Sequence, residues 1–379
     1  MKYISLLLVF TFQLLASPHL CNPSTAPLFT NKDPNHIVHM EIIADFNELN
    51  IQKIATPAIL SYWDKQKRKV SLPLIVEPRG HSRRSYCKYV PQKYYFDVEG
   101  LLRKLKANNP SLDTLDQYKS YYSYVKNNLK RYETFQGYKQ KFNIFQGLGK
   151  KVKIVTHCGN KPDYNWIFGA PAPVQTTRVL QEHYIYQMMQ VLRTTTLNTK
   201  LLIMTYRSKS GIILGKRVAL LREPKSSLAK RCKLSSKAKP QVSMTGNTSS
   251  AAQTDFINRF FYNNDYGLYG NHNVFNLYSK TQKYYVPYDF DLSGLIHAGY
   301  FKNSGYHSGV LAIKKFESFL HNYKDKQAVK DFLRYFFYKK TEMEQVLIRS
   351  RMSKIVKKDM LAWFYNYSKI MNQSLSKLY

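Results

Sequence analysis

The apolar residues of this chain are spaced as in strands near its beginning and as in helices further on, which limits the folds open to it. Short apolar runs and alternation in residues 37–100 predict strands. A helix with Thr176 or Thr177 as N-cap is expected next, because four apolar residues recur at helical spacing: Leu180, Tyr184, Met188 and Val191. Two further strands are predicted at 200–206 and 212–221. The pattern therefore predicts a mixed α+β fold.

Composition divides the chain into two lobes. Residues 37–224 predict a mixed, mainly antiparallel N-terminal lobe, interrupted at 101–145 by a Lys-, Tyr- and Asn-rich helical insertion. Residues 225–252 are rich in Ser, Lys and Ala, which is typical of a flexible basic linker or loop. Residues 253–379 form the predicted C-terminal lobe, and a cleft between the lobes is the expected place for a functional site.

The C-terminal lobe is predicted to combine a small hairpin with helices. A helix is expected at 254–262, and strands at 274–278 and 284–288 predict the hairpin. Residues 314–378 are predicted to be mostly helical.

The first residues resemble an export signal. Lys2 precedes an apolar run at 4–16 that ends at Ser17 and Pro18, so residues 1–20 predict a signal peptide and a periplasmic or extracellular protein. No later segment approaches 18 consecutive apolar residues, and no transmembrane segment is expected in the mature chain. The chain has four cysteines and no CxxC pair, which argues against zinc. An exported chain can pair two of them as a disulfide, but spacing does not say which.

The chain is strongly basic, since 58 Lys and Arg face 24 Asp and Glu and give a formal net charge of +34. Such a charge indicates a polyanionic partner or an anionic substrate. The alternative is a solvated basic surface without a specific partner.

An acidic pair lies among aromatic and apolar residues in the segment VPYDFDLSG. Asp289 and Asp291 follow a predicted strand, and their spacing places both side chains on one face. Two close carboxylates repel unless a cation lies between them, and Mg²⁺ or Mn²⁺ prefers carboxylate oxygens. The pair therefore indicates a metal site. In the alternative reading, Asp291 caps the turn at Gly294 and Asp289 pairs with a lysine.

Other polar residues suit phosphoryl transfer. Asp265 and Asn273 precede the hairpin in an order seen in kinase catalytic segments, as a base and a metal ligand. An Asn- and Gly-rich turn would explain them equally well. Lys153 in a predicted strand and Glu182 in the following helix can form the ion pair with which kinases position phosphate.

Several short motifs occur in the order found in CotH-type kinases, an atypical bacterial family. The matching segments, which span roughly residues 70 to 300, are Arg79-Gly80-His81-Ser82, Lys153 to His157, Glu182, Leu220-Leu221-Arg222-Glu223, Asn264-Asp265, His272-Asn273 and Tyr288-Asp289-Phe290-Asp291. The chain departs from the family at Tyr266, where Trp is common, and at His81, where Asn is common.

This resemblance implies a two-lobed protein-kinase-like fold, ATP as phosphate donor, and Mg²⁺ or Mn²⁺. It implies Asp265 as the catalytic base and Asp289 and Asn273, with Asp291, as metal ligands. The nucleotide-binding residues that it implies are Lys153, Glu182, Arg79 and Gly80.

Two functions therefore follow as expectations. The first is an exported kinase-like enzyme that transfers phosphate from a nucleotide to a protein or envelope-polymer acceptor. The alternative is a non-catalytic cationic envelope protein that binds polyanions such as lipopolysaccharide, teichoic acid or nucleic acid.

Overall fold

The computed structural model describes residues 21–52, 55–64, 66–79, 91–96, 144–149, 151–155, 174–238, 245–263, 266–268, 272–290, 293, 296 and 326–376. Two compact units make up the chain. The barrel unit comprises Ser24–Val179 and Asn198–Ser227, and the helical unit comprises Met1–Pro23, Leu180–Leu197 and Leu228–Tyr379. The predicted signal peptide and residues 101–143 of the predicted insertion lie outside the described residues.

Seven strands close the barrel in the order β1-β2-β3-β4-β5-β7-β6. All neighbours pair antiparallel except β1 and β6, which pair in parallel. The prediction of a mixed, mainly antiparallel sheet is thereby confirmed. The strands are β1 Ile37–Ala44, β2 Thr56–Trp63, β3 Lys69–Pro78, β4 Gln92–Tyr95, β5 Lys151–Val155, β6 Thr199–Arg207 and β7 Ile213–Arg222.

Alternate residues of each strand fill the barrel, as the period of two along a strand requires. On β1, for example, Met40, Ile42 and Ala44 belong to one buried apolar cluster. Burying a large aliphatic side chain stabilises the fold by about 1.5–3 kcal/mol. The other strands contribute Ala58, Leu60, Tyr62, Leu72, Leu74, Val76, Tyr94, Val152, Ile154, Leu202, Met204, Tyr206, Ala219 and Leu221.

Short segments contribute further apolar side chains to this core. Helix α1, Pro27–Thr30, buries Leu28, whose N–H donates to the carbonyl of Ile144 at 3.1 Å. The Phe145 ring meets Tyr62 edge-on, with centroids 6.1 Å apart. Leu49, in the π-helical turn Asn47–Gln52, joins the same cluster. The barrel interior is therefore a packed core.

A buried carboxylate ties three strands of the barrel together. Glu41 on β1 lies 2.9 Å from the ammonium of Lys69 on β3 and 2.9 Å from the guanidinium of Arg207 on β6. Burial acts to raise the pKa of Glu41, but hydrogen bonds and charge from the two cations outweigh it and hold the pKa below its usual range.

Aromatic packing dominates the helical unit. Its helices include residues 180–191 of α2 (Val174–Val191), residues 228–231 of α3 (Lys225–Arg231), α4 (Thr248–Phe260), α5 (Lys326–Ile348) and α6 (Lys354–Ser376). Phe260 of α4 meets Phe336 of α5 at 4.9 Å and Phe364 of α6 at 5.7 Å between ring centroids. A three-stranded sheet in the order β8-β10-β9 completes the unit, with β8 Thr245–Gly246, β9 Val274–Tyr278 and β10 Gln282–Pro287. The predicted hairpin and the helix expected at 254–262 are confirmed, and α5 and α6 confirm the helical prediction for 326–376. Residues 314–325, 377 and 378 of that prediction lie outside the described residues.

Three boundary predictions were wrong. The predicted linker contains α3, which forms because Leu228 and Ala229 become buried. Its end also belongs to α4, since Asn247 caps that helix by accepting the N–H of Ser250 at 2.8 Å. Thr176 and Thr177 lie inside α2 and do not cap it. The predicted N-terminal lobe is not one continuous unit either, because residues Leu180–Leu197 cluster with the helical unit.

One disulfide joins distant parts of the helical unit. Cys21 bonds to Cys232, which is 211 residues away in sequence. The N–H of Asn22 donates to the carbonyl of Arg231 at 3.0 Å, so the two backbone segments are also hydrogen-bonded next to the disulfide. The expectation of a disulfide is confirmed. None of the helices in the described ranges is both long and apolar enough to span a bilayer.

Replacing both Cys21 and Cys232 by Ser should lower the free energy of unfolding by about 2–5 kcal/mol, because the unfolded chain regains the entropy of a long closed loop. Guanidinium titration of the wild-type and doubly substituted proteins measures the change. Non-reducing peptide mapping should recover the two cysteine peptides linked in the wild type. An unchanged unfolding midpoint would contradict the expectation.

Lys200 is a buried base at the start of β6. It is 3% exposed and lies two residues before Leu202, on the strand face that points into the barrel. Burial lowers the pKa of Lys200 to about 8, although the charge of Asp33 acts in the opposite direction. The unfolded chain binds this proton more tightly than the folded chain, so the burial penalty is complete below pH 8 and disappears as the pH rises towards the unfolded value.

Replacing Lys200 by Met should therefore raise the free energy of unfolding at pH 7 by about 1–2 kcal/mol, after allowance for relaxation and the attraction of Asp33. The gain should shrink between pH 8 and about pH 10, where the wild-type amine is neutral in the folded state. Urea titrations at pH 7 and pH 10 measure it. Exposed Lys32, replaced by Met, is the control and should show no such dependence. A stability gain for Lys200→Met that is equal at both pH values would refute the explanation.

Candidate functional site

The hairpin of β9 and β10 brings together two residues that the sequence predicts as metal ligands. Val274 pairs with Pro287 at the open end of the hairpin. Just beyond this pair, the N–H of Tyr288 donates to the carbonyl of Asn273 at 2.9 Å. Asn273 precedes β9 and Asp289 follows β10, so both lie at the same end of the hairpin although the whole hairpin separates them in sequence.

Both residues adopt the left-handed backbone conformation, with φ of 49° at Asn273 and 63° at Asp289. Most residues with a side chain avoid this region, whereas Asn and Asp tolerate it best. Such conformations persist where surrounding contacts impose them, and they concentrate at functional sites. The two residue types are therefore suited to the backbone as well as to cation binding.

Helix α4 holds the hairpin through buried hydroxyl groups. The hydroxyl of Ser250 accepts the N–H of Tyr285 at 2.9 Å and lies 3.1 Å from its carbonyl. The hydroxyl of Thr254, one turn later, donates to the same carbonyl at 3.0 Å. The backbone of β10 is therefore fixed to α4.

The same face of α4 continues to the segment before Asp265. Asn258 donates to the carbonyl of Thr254 at 2.9 Å and accepts the side-chain amide of Asn263 at 2.9 Å. Asn263 also forms an antiparallel bridge with Ser293. Asn263, two residues before Asp265, therefore lies beside Ser293, two residues after Asp291. Asp265 and Asp291 themselves lie outside the described residues.

Sequence reasoning missed this polar ladder. Its residues Ser250, Thr254 and Asn258 recur every fourth position, which was a detectable signal for one face of a helix. Polar residues at this spacing usually indicate a solvated face. Here they are buried, with exposures of 7%, 1% and 0%. Ser250 and Thr254 bond the backbone of Tyr285, and Asn258 bonds the carbonyl of Thr254 and the side chain of Asn263, so their polar groups have partners.

Tyr266, at one of the departures from the family pattern, is held by α4 as well. Its hydroxyl donates to the carboxylate of Asp255, which also forms an ion pair of 3.2 Å with Arg259. Tyr266, which follows the predicted base Asp265, is therefore anchored to α4 by its hydroxyl group. A Trp indole at this position would make the hydrogen bond with a different geometry.

Phe290 and the Asp289 backbone pack against α2. The fully buried Phe290 ring meets Tyr186 edge-on at 5.5 Å and Phe261 at 5.8 Å between centroids. The N–H of Asp289 donates to the hydroxyl of Tyr186 at 3.1 Å. Glu182 lies one turn before Tyr186, on the same face of the helix, and is also fully buried. The predicted helix carboxylate and the predicted metal ligand are thus associated with the same helix.

The remaining predicted residues lie in the barrel unit. Lys153 is an exposed residue of β5 opposite Arg222 on β7. Arg79 follows β3, and its backbone N–H donates to the carbonyl of Pro91 at 2.7 Å. Gly80 lies outside the described residues. Because Lys153 and Glu182 belong to different units, their ion pair stays a prediction.

The chemistry of the hairpin end fits a hard divalent cation. A carboxylate of Asp289 and an amide oxygen of Asn273 are the ligand types that Mg²⁺ prefers, and Mg²⁺ usually keeps several waters or phosphate oxygens as its other ligands. Within the part of the chain that the structure describes, no group of three or more His, Cys, Asp or Glu side chains is gathered in a way that suits a metal ion.

Comparison with known proteins adds no family assignment. No protein-family model matches the chain, and a search of curated proteins found no similar sequence.

Replacing Tyr186 by Phe should loosen Asp289 while keeping the ring packing on Phe290. The substitution removes the acceptor for the Asp289 N–H, which costs about 1 kcal/mol. Hydrogen exchange measured by mass spectrometry should accelerate in the peptide that contains Asp289. Tyr184→Phe is the matched control, since it removes an acceptor from the N–H of Arg351 at 2.8 Å on the same helix. Equal acceleration at Asp289 in both variants would show that the hydrogen bond has no specific role.

Proposed function

We propose that this protein is a kinase-like phosphotransferase that moves the terminal phosphoryl group of ATP to a protein or envelope-polymer acceptor with Mg²⁺ or Mn²⁺. The observation that carries the proposal is the hairpin that places Asn273 beside the chain leading to Asp289. In protein kinases, a catalytic-loop Asn and the Asp of an Asp-Phe-Gly segment hold the metal ions.

The packing of Phe290 supports the same proposal. In protein kinases, the Phe that follows the metal-binding Asp packs in a way that sets the active state. Here Phe290 follows Asp289 and packs on Tyr186, one helical turn after buried Glu182. A buried helix carboxylate, an Asp that follows a hairpin and a Phe that packs on the same helix form a kinase-like combination.

Each residue has a defined role in this proposal. The cation bound by Asp289 and Asn273, with Asp291 as a further ligand or a turn cap, would neutralise phosphate oxygens. Asp265 would accept the proton of the acceptor hydroxyl as its oxygen bonds to the terminal phosphorus. The bond from that phosphorus to the bridging oxygen breaks, and ADP leaves.

The basic residues would bind the nucleotide rather than perform chemistry. Lys153, oriented by Glu182, would contact phosphate oxygens, and the segment of Arg79 and Gly80 would cover them. The predicted signal peptide would direct the enzyme to the periplasm or the outside of the cell, where the acceptor would be a secreted or envelope molecule.

A non-catalytic polyanion-binding protein is the second candidate, favoured by the net charge of +34. Its binding would weaken steeply with salt and would not depend on Asp289. Metal-dependent, nucleotide-selective binding would separate the first candidate from the second.

Replacing Asp289 by Asn should weaken Mg²⁺- or Mn²⁺-dependent ATP binding at least about tenfold and abolish phosphate transfer, because a charged metal ligand is lost. Asn is chosen since it tolerates the left-handed backbone at this position. Titration calorimetry and transfer of radiolabelled phosphate measure the two effects.

Asp359→Asn is the control, because Asp359 is exposed on α6 and should affect neither quantity. The proposal is refuted if folded wild-type protein neither binds nucleotide nor transfers phosphate with either metal.

A further inference from the structure

The turn between α5 and α6 carries a concentrated positive charge. We call residues 348–358 the basic turn. It contains five cations, and no carboxylate occurs in sequence between Glu344 and Asp359. The cations are Arg349, Arg351, Lys354, Lys357 and Lys358.

Packing holds the basic turn in one shape. Ser350 and Met352 point inward and are 5% exposed, whereas Arg349 and Arg351 between and beside them are exposed. The N–H of Arg351 donates to the hydroxyl of Tyr184 at 2.8 Å. The ammonium of Lys357 donates to the carbonyl of Ile348 at 3.0 Å, which closes the turn. The outward direction of the arginines is thus set by buried neighbours.

Two large aliphatic side chains are exposed among these cations. Ile348 is 41% exposed and Ile355 is 74% exposed. Exposure of such side chains to water does not stabilise the protein. They can, however, enter the boundary between lipid headgroups and acyl chains. Cations around them are attracted to anionic lipids, which adds to the apolar contribution.

Exposure alone does not distinguish Ile355, since Ile51 of the barrel unit is also 74% exposed. Ile51, however, lies in a segment with the carboxylates of Asp45 and Glu48, and Asp45 already pairs with Lys209 at 3.1 Å. At the basic turn, aliphatic exposure coincides with five cations in a stretch of sequence that contains no carboxylate.

We propose that the basic turn docks the protein on an anionic lipid bilayer, with Ile348 and Ile355 entering the interface and the cations contacting lipid headgroups. A bilayer fits better than nucleic acid, because single-stranded nucleic acids are bound through aromatic side chains on which bases stack. The exposed apolar residues of the turn are aliphatic. This docking is independent of the proposed phosphotransfer.

Flotation of the purified full chain with vesicles tests the proposal. Phosphatidylcholine vesicles containing phosphatidylglycerol should bind the wild type, and vesicles of phosphatidylcholine alone should bind it much more weakly. Ile355→Ser and the pair Lys354→Gln with Lys358→Gln should each weaken binding to the anionic vesicles about tenfold. Added salt should weaken the wild-type binding as well.

Two matched controls guard against general effects. Ile51→Ser removes an equally exposed isoleucine, and the pair Lys230→Gln with Lys326→Gln removes two exposed lysines elsewhere in the helical unit. Both should leave vesicle binding unchanged, and near-ultraviolet circular dichroism should confirm that all variants fold.

Three results would overturn the docking proposal. The first is equal loss of vesicle binding in test and control variants. The second is equal binding to neutral and anionic vesicles. The third is vesicle binding that Ile355→Ser leaves intact, together with oligonucleotide binding that the Lys354/Lys358 pair abolishes, which would identify the turn as a nucleic-acid site.

Discussion

The hairpin of the candidate site depends on two hydroxyl groups that satisfy a buried backbone. Within the described residues, strand β8 pairs with Gln282 and Lys283 and not with the rest of β10. Beyond it, Ser250 and Thr254 of α4 bond the N–H and carbonyl of Tyr285. A buried backbone group without a partner costs as much as a lost hydrogen bond. Helix side chains therefore act in place of a strand.

This substitution connects the site to the aromatic core. One face of α4 bonds β10, while Phe256 and Phe260 of the same helix pack against α5 and α6. Tyr186 of α2 also holds the hairpin end, since it contacts both the backbone of Asp289 and the ring of Phe290. The backbone of Asp289 is thus held by Tyr186, and that of Asn273 by its hydrogen bond from the N–H of Tyr288.

Prediction from sequence was best where local periodicity and local chemistry agree. The hairpin strands, α2 and the pair β6 and β7 were expected near their observed positions because each has its own apolar spacing. The prediction of a linker failed because two apolar residues, Leu228 and Ala229, are too few to indicate a short helix within a Ser- and Lys-rich stretch. Closure of the barrel could not be predicted either, because the pairing of β1 with β6 joins segments that no local sequence pattern links.

Sequence alone determined the residue types at the site: an Asn before the hairpin, an Asp and a Phe after it, and a Glu in an earlier helix. It also determined the net charge, the two apolar periods and the presence of cysteines able to form a disulfide. Only the tertiary structure decided that Cys21 pairs with Cys232, that Ser250, Thr254 and Asn258 are buried, and that Tyr186 bonds Asp289. Spacing along a chain specifies which face of an element a side chain occupies, whereas its partner depends on how separate elements pack.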